Sequence, residues 1–184
     1  RAELHLHPPP SHGPRGSKPF ITFDAATSHL PPLHAQTKLS DTQDDLHAVP
    51  RWNDMQLFCM SHTGEGRTAF DNSTCVACGT DTEDRKAWAC ASCGFALPRP
   101  IKTVCSWRCS SCDTTNASTA RKCANGHARS EDCPQTTERR VVKAFRTSYR
   151  RMHGDAPAAT LTTNSGVISS DVKGHPRQDR VLSV

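Results

Sequence analysis

The stretch Cys75-Val-Ala-Cys78-Gly79, with Cys90-Ala-Ser-Cys93-Gly94 after it, decides the fold of this chain. Trp107-Arg-Cys109-Ser-Ser-Cys112, Cys123, His127 and Cys133 extend it. Two residues between paired cysteines put both thiolates on one side of a tight turn. A glycine directly after the second cysteine lets backbone N–H groups turn toward the sulfurs without a Cβ in the way. Eleven residues separate Cys78 from Cys90. The two turns can therefore face each other and close a tetrahedral zinc site from Cys75, Cys78, Cys90 and Cys93. An even count of ten cysteines also suits a disulfide framework. Repeated two-residue spacing followed by glycine favours metal in a reducing compartment instead. A lone Cys-x-x-Cys leaves redox chemistry open, whereas two facing pairs argue against it.

Around this stretch the composition argues against one ordinary core. Leu, Ile, Val and Phe number 28 of 184 residues, a share at which burial struggles to offset the entropy of ordering a chain. Tyr occurs once and Trp three times, and two of the three tryptophans stand two residues before a cysteine. The expected fold class is therefore small zinc-stabilised β-knuckle modules with one basic helix, long extended arms and little regular secondary structure. No apolar run approaches the length of a membrane span.

Charge is distributed unevenly. Residues 1–84 carry six Lys/Arg and eleven Asp/Glu, and residues 85–151 carry fourteen and four. The positive field falls on the cysteine region and on the residues immediately C-terminal to it. A polyanion is the partner this implies, with nucleic acid first among them and a solubilising face as the bland alternative.

Residues 1–50 hold eight of thirteen prolines and six of ten histidines, without helical or strand period, and read as an extended Pro-rich arm. His5 and His7 are ligand types, but scattered histidines in such an arm are more often merely polar. A chain beginning at Arg1 without methionine raises the expectation of import processing and a mitochondrial location, with cytoplasm or nucleus as the alternatives. Residues 51–74 form a short apolar element and a loop. Trp52, Met55 and Phe58, three apart, suit a short helix packing on the zinc module. Cys59 and His62 are spaced as a ligand pair, yet a complete donor set exists without them.

From Cys75 to Pro98 the chain resembles a short zinc ribbon of the double-zinc-ribbon kind, in Cys75-x-x-Cys78-Gly79, Cys90-x-x-Cys93-Gly94 and Phe95-Ala-Leu97-Pro98. That resemblance implies two knuckles joined by short antiparallel strands and a closed, structural site. Residues 105–133 resemble a Ran-binding-protein-type zinc finger: Trp107, Cys109, Cys112, Asn116 and Cys123 stand at that family's spacings. The fourth ligand position is Gly126. His127, one residue on, is preferred to Cys133 as the closing donor because imidazole reaches further and the loop to Cys133 is long; Cys105 is a third candidate. Fingers of that family commonly bind single-stranded RNA, the Trp stacking on a base while Asn and Arg read edges, and some bind proteins. The resemblance carries those roles to Trp107, Arg108, Asn116, Arg121 and Lys122. Packing as the mini-core of its own finger is the equal alternative for Trp107, and packing is the preferred reading of Trp88.

After Pro134, residues 137–153 place Val141, Phe145, Tyr149 and Met152 on one helical face. Arg139, Arg140, Lys143, Arg146, Arg150 and Arg151 fill the rest, which suits a helix lying along phosphates. Residues 154–184 read as a second extended arm. The sequence thus predicts a zinc-binding, RNA-binding structural subunit of a large ribonucleoprotein, a mitochondrial ribosome by preference. Two Zn2+ ions, rRNA and neighbouring protein subunits are the expected cofactors and partners. The alternative is an accessory protein-interaction subunit of a non-RNA assembly. Neither membrane nor small-molecule substrate is expected, and catalysis finds no support, since four thiolates leave zinc no open position.

Overall fold

Ile101–Arg108 alternates Ile, Thr, Cys and Trp on one side with Lys, Val, Ser and Arg on the other, the period of a half-buried strand. In the computed structural model this segment is β1. It lies between β2 (Thr115–Ala117) and β3 (Gln135–Val141) in an antiparallel sheet of order β2-β1-β3. The structure describes residues 11–37, 49–145, 147–159, 168 and 172–182. They fall into two compact units, one of Arg1–Phe70 with Ala144–Val184 and one of Asp71–Lys143.

The register of the sheet sorts its side chains. Trp107 stands opposite Asn116 and Gln135, Cys105 opposite Thr137, Thr103 opposite Arg139 and Ile101 opposite Val141. The other face carries Lys102 opposite Arg140, Val104 opposite Glu138 and Ser106 between Thr136 and Ala117. Trp107 is fully buried at its end of its face, while Thr103, Cys105 and Arg139 on the same face are exposed.

The basic helix expected over 137–153 is not formed. Gln135–Val141 is a strand paired along its length with Ile101–Trp107, Arg150–Arg151 is a second short strand, and Tyr149 sits at φ 49° between them. Thr136, Thr137, Val141 and Val142 are β-branched and stiff at χ1, which weakens a helix. A helix of this length is marginal without packing, whereas the strand finds a partner already in place.

In the second unit Arg99 closes the loop between the first two knuckles. Its side chain is buried, and it donates from Nε to Asn72 O (2.6 Å), from one terminal nitrogen to Asp84 O (2.5 Å) and Ala87 O (2.9 Å), and from the other to Thr82 O (3.2 Å). Burial pulls its pKa below the usual guanidinium value. A planar fork is the one side chain that can serve four carbonyls of a strandless loop at once.

The first unit has its own core. Helix α1 (Phe23–Thr27) is short, and α2 (Asp54–Ser61) starts at a reciprocal cap in which Asn53 and Gln56 each bond the other's backbone N–H. Trp52, Cys59 and Met60 bury with Ala35, Ala69, Tyr149, Ile168 and Val181, and Phe23 with Met152 and Leu182. The short helix expected within residues 51–60 is present as α2, but its buried Cys59 and Met60 pack in this core, where the sequence suggests packing on the zinc module. Described parts of both expected arms belong to that core too. The parallel pair β4 (Arg150–Arg151) and β5 (Val172–Gly174) ties the tail in. His5 and His7 lie outside the described residues.

Replacing Arg99 by Met takes a donor from the Asn72, Thr82 and Ala87 carbonyls, while Asp84 O keeps the Ala87 amide. We expect a loss of about 3 kcal/mol or more in urea unfolding of the Asp71–Lys143 unit, since each unsatisfied buried group costs ~1–3 kcal/mol. Arg99→Lys should fall between Met and wild type, and an unchanged midpoint in Arg99→Met would contradict this role.

Candidate metal centres

Three knuckles repeat one backbone pattern. The amide of the residue after the second cysteine donates to the carbonyl of the first: Gly79 to Cys75 (2.9 Å), Gly94 to Cys90 (2.9 Å) and Asp113 to Cys109 (2.8 Å). The first cysteine's own amide donates to the residue beyond: Cys75 to Thr80, Cys90 to Phe95 and Cys109 to Thr114. This return bond needs a left-handed residue, and Gly79 and Gly94 both sit at φ 73°. Asp113 takes the same place at φ 59°, a conformation that Asp and Asn tolerate better than other side chains. A fourth turn runs from Cys123 to His127, closed by Cys123 N–H to His127 O (2.8 Å).

These turns bring two donor sets together, Cys75/Cys78/Cys90/Cys93 and Cys109/Cys112/Cys123/His127, the ligand atoms of each within 4.8 Å of one another. In the first, Cys75 and Cys93 Sγ are 3.6 Å apart, and Cys78 and Cys90 Sγ 3.7 Å. In the second, Cys112 and Cys123 Sγ are 3.7 Å apart, and His127 Nδ1 lies 3.5 Å from Cys123 Sγ and 3.7 Å from Cys109 Sγ. Sulfurs bound at 2.3 Å to one tetrahedral zinc lie about 3.8 Å apart, and a sulfur and an imidazole nitrogen about 3.6 Å. A disulfide requires about 2.05 Å. Both sets thus fit a tetrahedral zinc and can hold one, as zinc-ribbon-like modules do.

Hydroxyls support the sulfurs. Thr80 Oγ1 is 3.3 Å from Cys78 Sγ, and Thr114 Oγ1 is 3.2 Å from Cys112 Sγ. The Thr80 hydroxyl and then its amide hold the Cys78 thiol down to about 6, and Thr114 holds Cys112 down to about 5 in the same way. At Cys93 the Phe95 amide favours the thiolate, but the neighbouring thiols outweigh it and push Cys93 up to about 12. Sequence reasoning missed this support, although Thr recurs two residues after Cys78 and Cys112 and is legible as a repeat. It also missed Arg99.

The other ligand candidates stand apart. Cys133 is buried, with Ser130 Oγ 3.4 Å and Ser110 Oγ 3.8 Å from its sulfur, and the Ser130 hydroxyl lowers its pKa to about 7. It packs beside the second set without joining it. Cys105 is exposed on β1, 4.0 Å from Thr137 Oγ1. Cys59 is buried in the first unit, where burial raises its thiol to about 12, and His62 is exposed with Nδ1 2.8 Å from Phe58 O.

The candidate RNA residues separate into tied and open groups. Trp107 cannot stack on a base as it stands: it is fully buried, donates Nε1–H to Ala120 O (3.0 Å) and is covered by the Arg129 guanidinium, 5.7 Å from the ring centroid. Asn116 is spent on the finger itself, donating to Thr114 O (2.7 Å) and accepting from the Ala124 amide (3.3 Å). Arg139 lies over Trp88 at 5.4 Å. Arg150 donates to Gly66 O (3.1 Å). Arg151 is buried, bonded to the carbonyls of Met60, Thr63, His175 and Gln178 and to the Asp179 carboxylate. Arg108, Arg121, Lys122, Arg140 and Lys143 are exposed, and Arg146 lies outside the described residues.

No family model, curated protein or solved structure matches the chain. No helix among the described residues is long and apolar enough to cross a membrane.

Cobalt substitution reads the second donor set directly, because thiolate and imidazole donors give different ligand-field bands. His127→Ala should weaken the second metal site by roughly tenfold or more, while Cys133→Ser should leave both stoichiometry and spectrum unchanged. A spectrum altered by Cys133→Ser and indifferent to His127→Ala would exchange their roles.

Proposed function

We propose that each donor set holds one structural zinc and that the chain is an RNA-binding subunit of a ribonucleoprotein. The observation that carries the zinc reading is the agreement of the donor separations, 3.5 to 3.7 Å, with tetrahedral coordination. Four protein donors fill such a site, which makes it a staple and leaves no position for a substrate. Structural zinc supplies an apparent ~10–16 kcal/mol in finger peptides, more than a few buried side chains provide.

The RNA reading is supported by charge. Residues 85–151 carry fourteen Lys/Arg against four Asp/Glu, and Arg108, Arg121, Lys122, Arg140 and Lys143 are solvent-exposed in the zinc-bearing unit. Exposed cations held on a rigid module attract a polyanion and release its counterions on contact. A protein partner is the second reading, favoured by Val76 and Phe95, which stand 41% and 47% exposed beside the cysteines of the first two knuckles. Apolar side chains of that size on a knuckle suit a neighbouring subunit better than solvent.

Zinc-loaded full-length chain should bind mixed-sequence RNA with Kd on the order of 1–100 µM at physiological salt, weakening steeply as salt rises. Removing zinc with a chelator should abolish the binding. Failure of the zinc-loaded chain to bind RNA, with subunit capture that depends on Val76 and Phe95, would favour the protein-partner reading.

A further inference from the structure

Trp107 is buried on one face of the β2-β1-β3 sheet, where Thr103, Cys105 and Arg139 stay exposed, and the opposite face is open along Lys102, Arg108, Glu138 and Arg140. On the open face Lys102 stands directly opposite Arg140, both exposed, and Arg108 ends the same strand. Between them Ser106 Oγ meets Thr136 Oγ1 at 2.7 Å. Like charges directly opposite on neighbouring strands, with Cβ atoms about 4.5–5.5 Å apart, weaken a sheet. Arg140 leans along its own strand to Glu138 (2.6 Å), and Arg108 reaches Asp113 (3.4 Å). Among the described residues no carboxylate lies within ion-pair distance of Lys102. Both guanidinium pairs are more than half exposed, so solvent screens them and they can exchange for a phosphate oxygen at little loss.

The two tryptophans of this unit are disposed in the opposite way. Trp107 is buried under Arg129 and Trp88 lies under Arg139. The cation over each ring is the protein's own, and the register places no aromatic residue on the open face. Stacking on bases needs an exposed ring. Hydroxyls and cations without a ring suit phosphate and sugar oxygens, which position a protein without carrying sequence information.

We propose, resting on the RNA-binding reading, that this open face grips the sugar–phosphate backbone of folded RNA through Lys102, Arg140 and Arg108 and reads no base. Lys102 and Arg108 are six residues apart on one strand, about 20 Å at ~3.3 Å per residue, so the face spans several phosphates of one duplex. The contact is with helical shape and phosphate, the mode by which double-stranded RNA is recognised without sequence preference.

The test uses the zinc-loaded full-length chain, fluorescence anisotropy and two RNA duplexes of about 16 base pairs with unrelated sequences. Affinity is followed over roughly 50 to 200 mM salt. Wild type should bind both duplexes within about twofold. Lys102→Gln with Arg140→Gln should flatten the plot of log affinity against log salt by roughly one to two units, equally for both duplexes. Lys102→Glu alone guards against a folding artefact, since it creates an opposite-charge pair with Arg140 that supports the sheet while removing the same two positive charges from the pair as the double variant; it should weaken binding to a similar extent at low salt. An unchanged slope in both variants, with wild type still binding RNA, would overturn this face while leaving RNA binding intact, as would more than about tenfold preference between the duplexes. No duplex or single-strand binding by wild type, with binding of poly-glutamate that depends on Lys102, would overturn the RNA reading itself.

Discussion

Everything in the Asp71–Lys143 unit depends on eight donor atoms being brought to tetrahedral distance in two sets of four. The buried clusters of this unit are Cys75, Cys90 and Leu97 in one, and Cys109, Cys123, Cys133 and Trp107 in the other. Four of the eight donors, Cys75, Cys90, Cys109 and Cys123, are thus core side chains as well. A unit of this size buries too small a share of its surface to stand on apolar contacts alone. The proposed zinc ions supply the missing free energy, and the knuckles fix where it is applied. Each bond from the Gly79, Gly94 or Asp113 amide to the first cysteine of its turn fixes the sulfur positions within five residues of chain.

The polar side chains divide into those that build this frame and those left over. Arg99 serves the carbonyls of the loop between knuckles, Asn116 pins the third turn to the fourth, and Arg129 and Arg139 cover the two tryptophans. Each is a cation or amide that the charge pattern alone would assign to a ligand. What remains exposed is Lys102, Arg108 and Arg140 on the open sheet face, Lys143 just past it, Arg121 and Lys122 on a turn, and Arg85 and Lys86 in the loop between the first two knuckles. That division ties the frame to the proposed function: Trp88 and Trp107 are capped by the protein's own cations, and the cations outside the frame are available to phosphate.

The knuckles were legible in the sequence because their geometry is local. Cys-x-x-Cys-Gly specifies a turn within five residues, and His127 followed from reach and loop length. Trp107 was open to two readings, and the structure takes the packed one. The region after Pro134 was misread because two periods compete there. Val141, Phe145, Tyr149 and Met152 satisfy a helix, while Thr136, Thr137 and Val141 satisfy a strand, and only the distant pairing with Ile101–Trp107 decides between them. The core of the first unit was illegible for a related reason. Ala35, Trp52, Tyr149, Ile168 and Val181 come from segments far apart in the chain, each too sparse in apolar residues to announce burial alone.

The central claim is that metal coordination, and not apolar packing, holds the Asp71–Lys143 unit together. Hydrogen exchange on the full-length chain, with and without a zinc chelator under reducing conditions, tests it most directly. The account predicts that chelation strips protection from the amides of Cys75, Cys90, Cys109, Cys123 and β1, while amides of α2 in the first unit keep theirs. Protection of the knuckle amides and β1 that survives complete removal of zinc would contradict it.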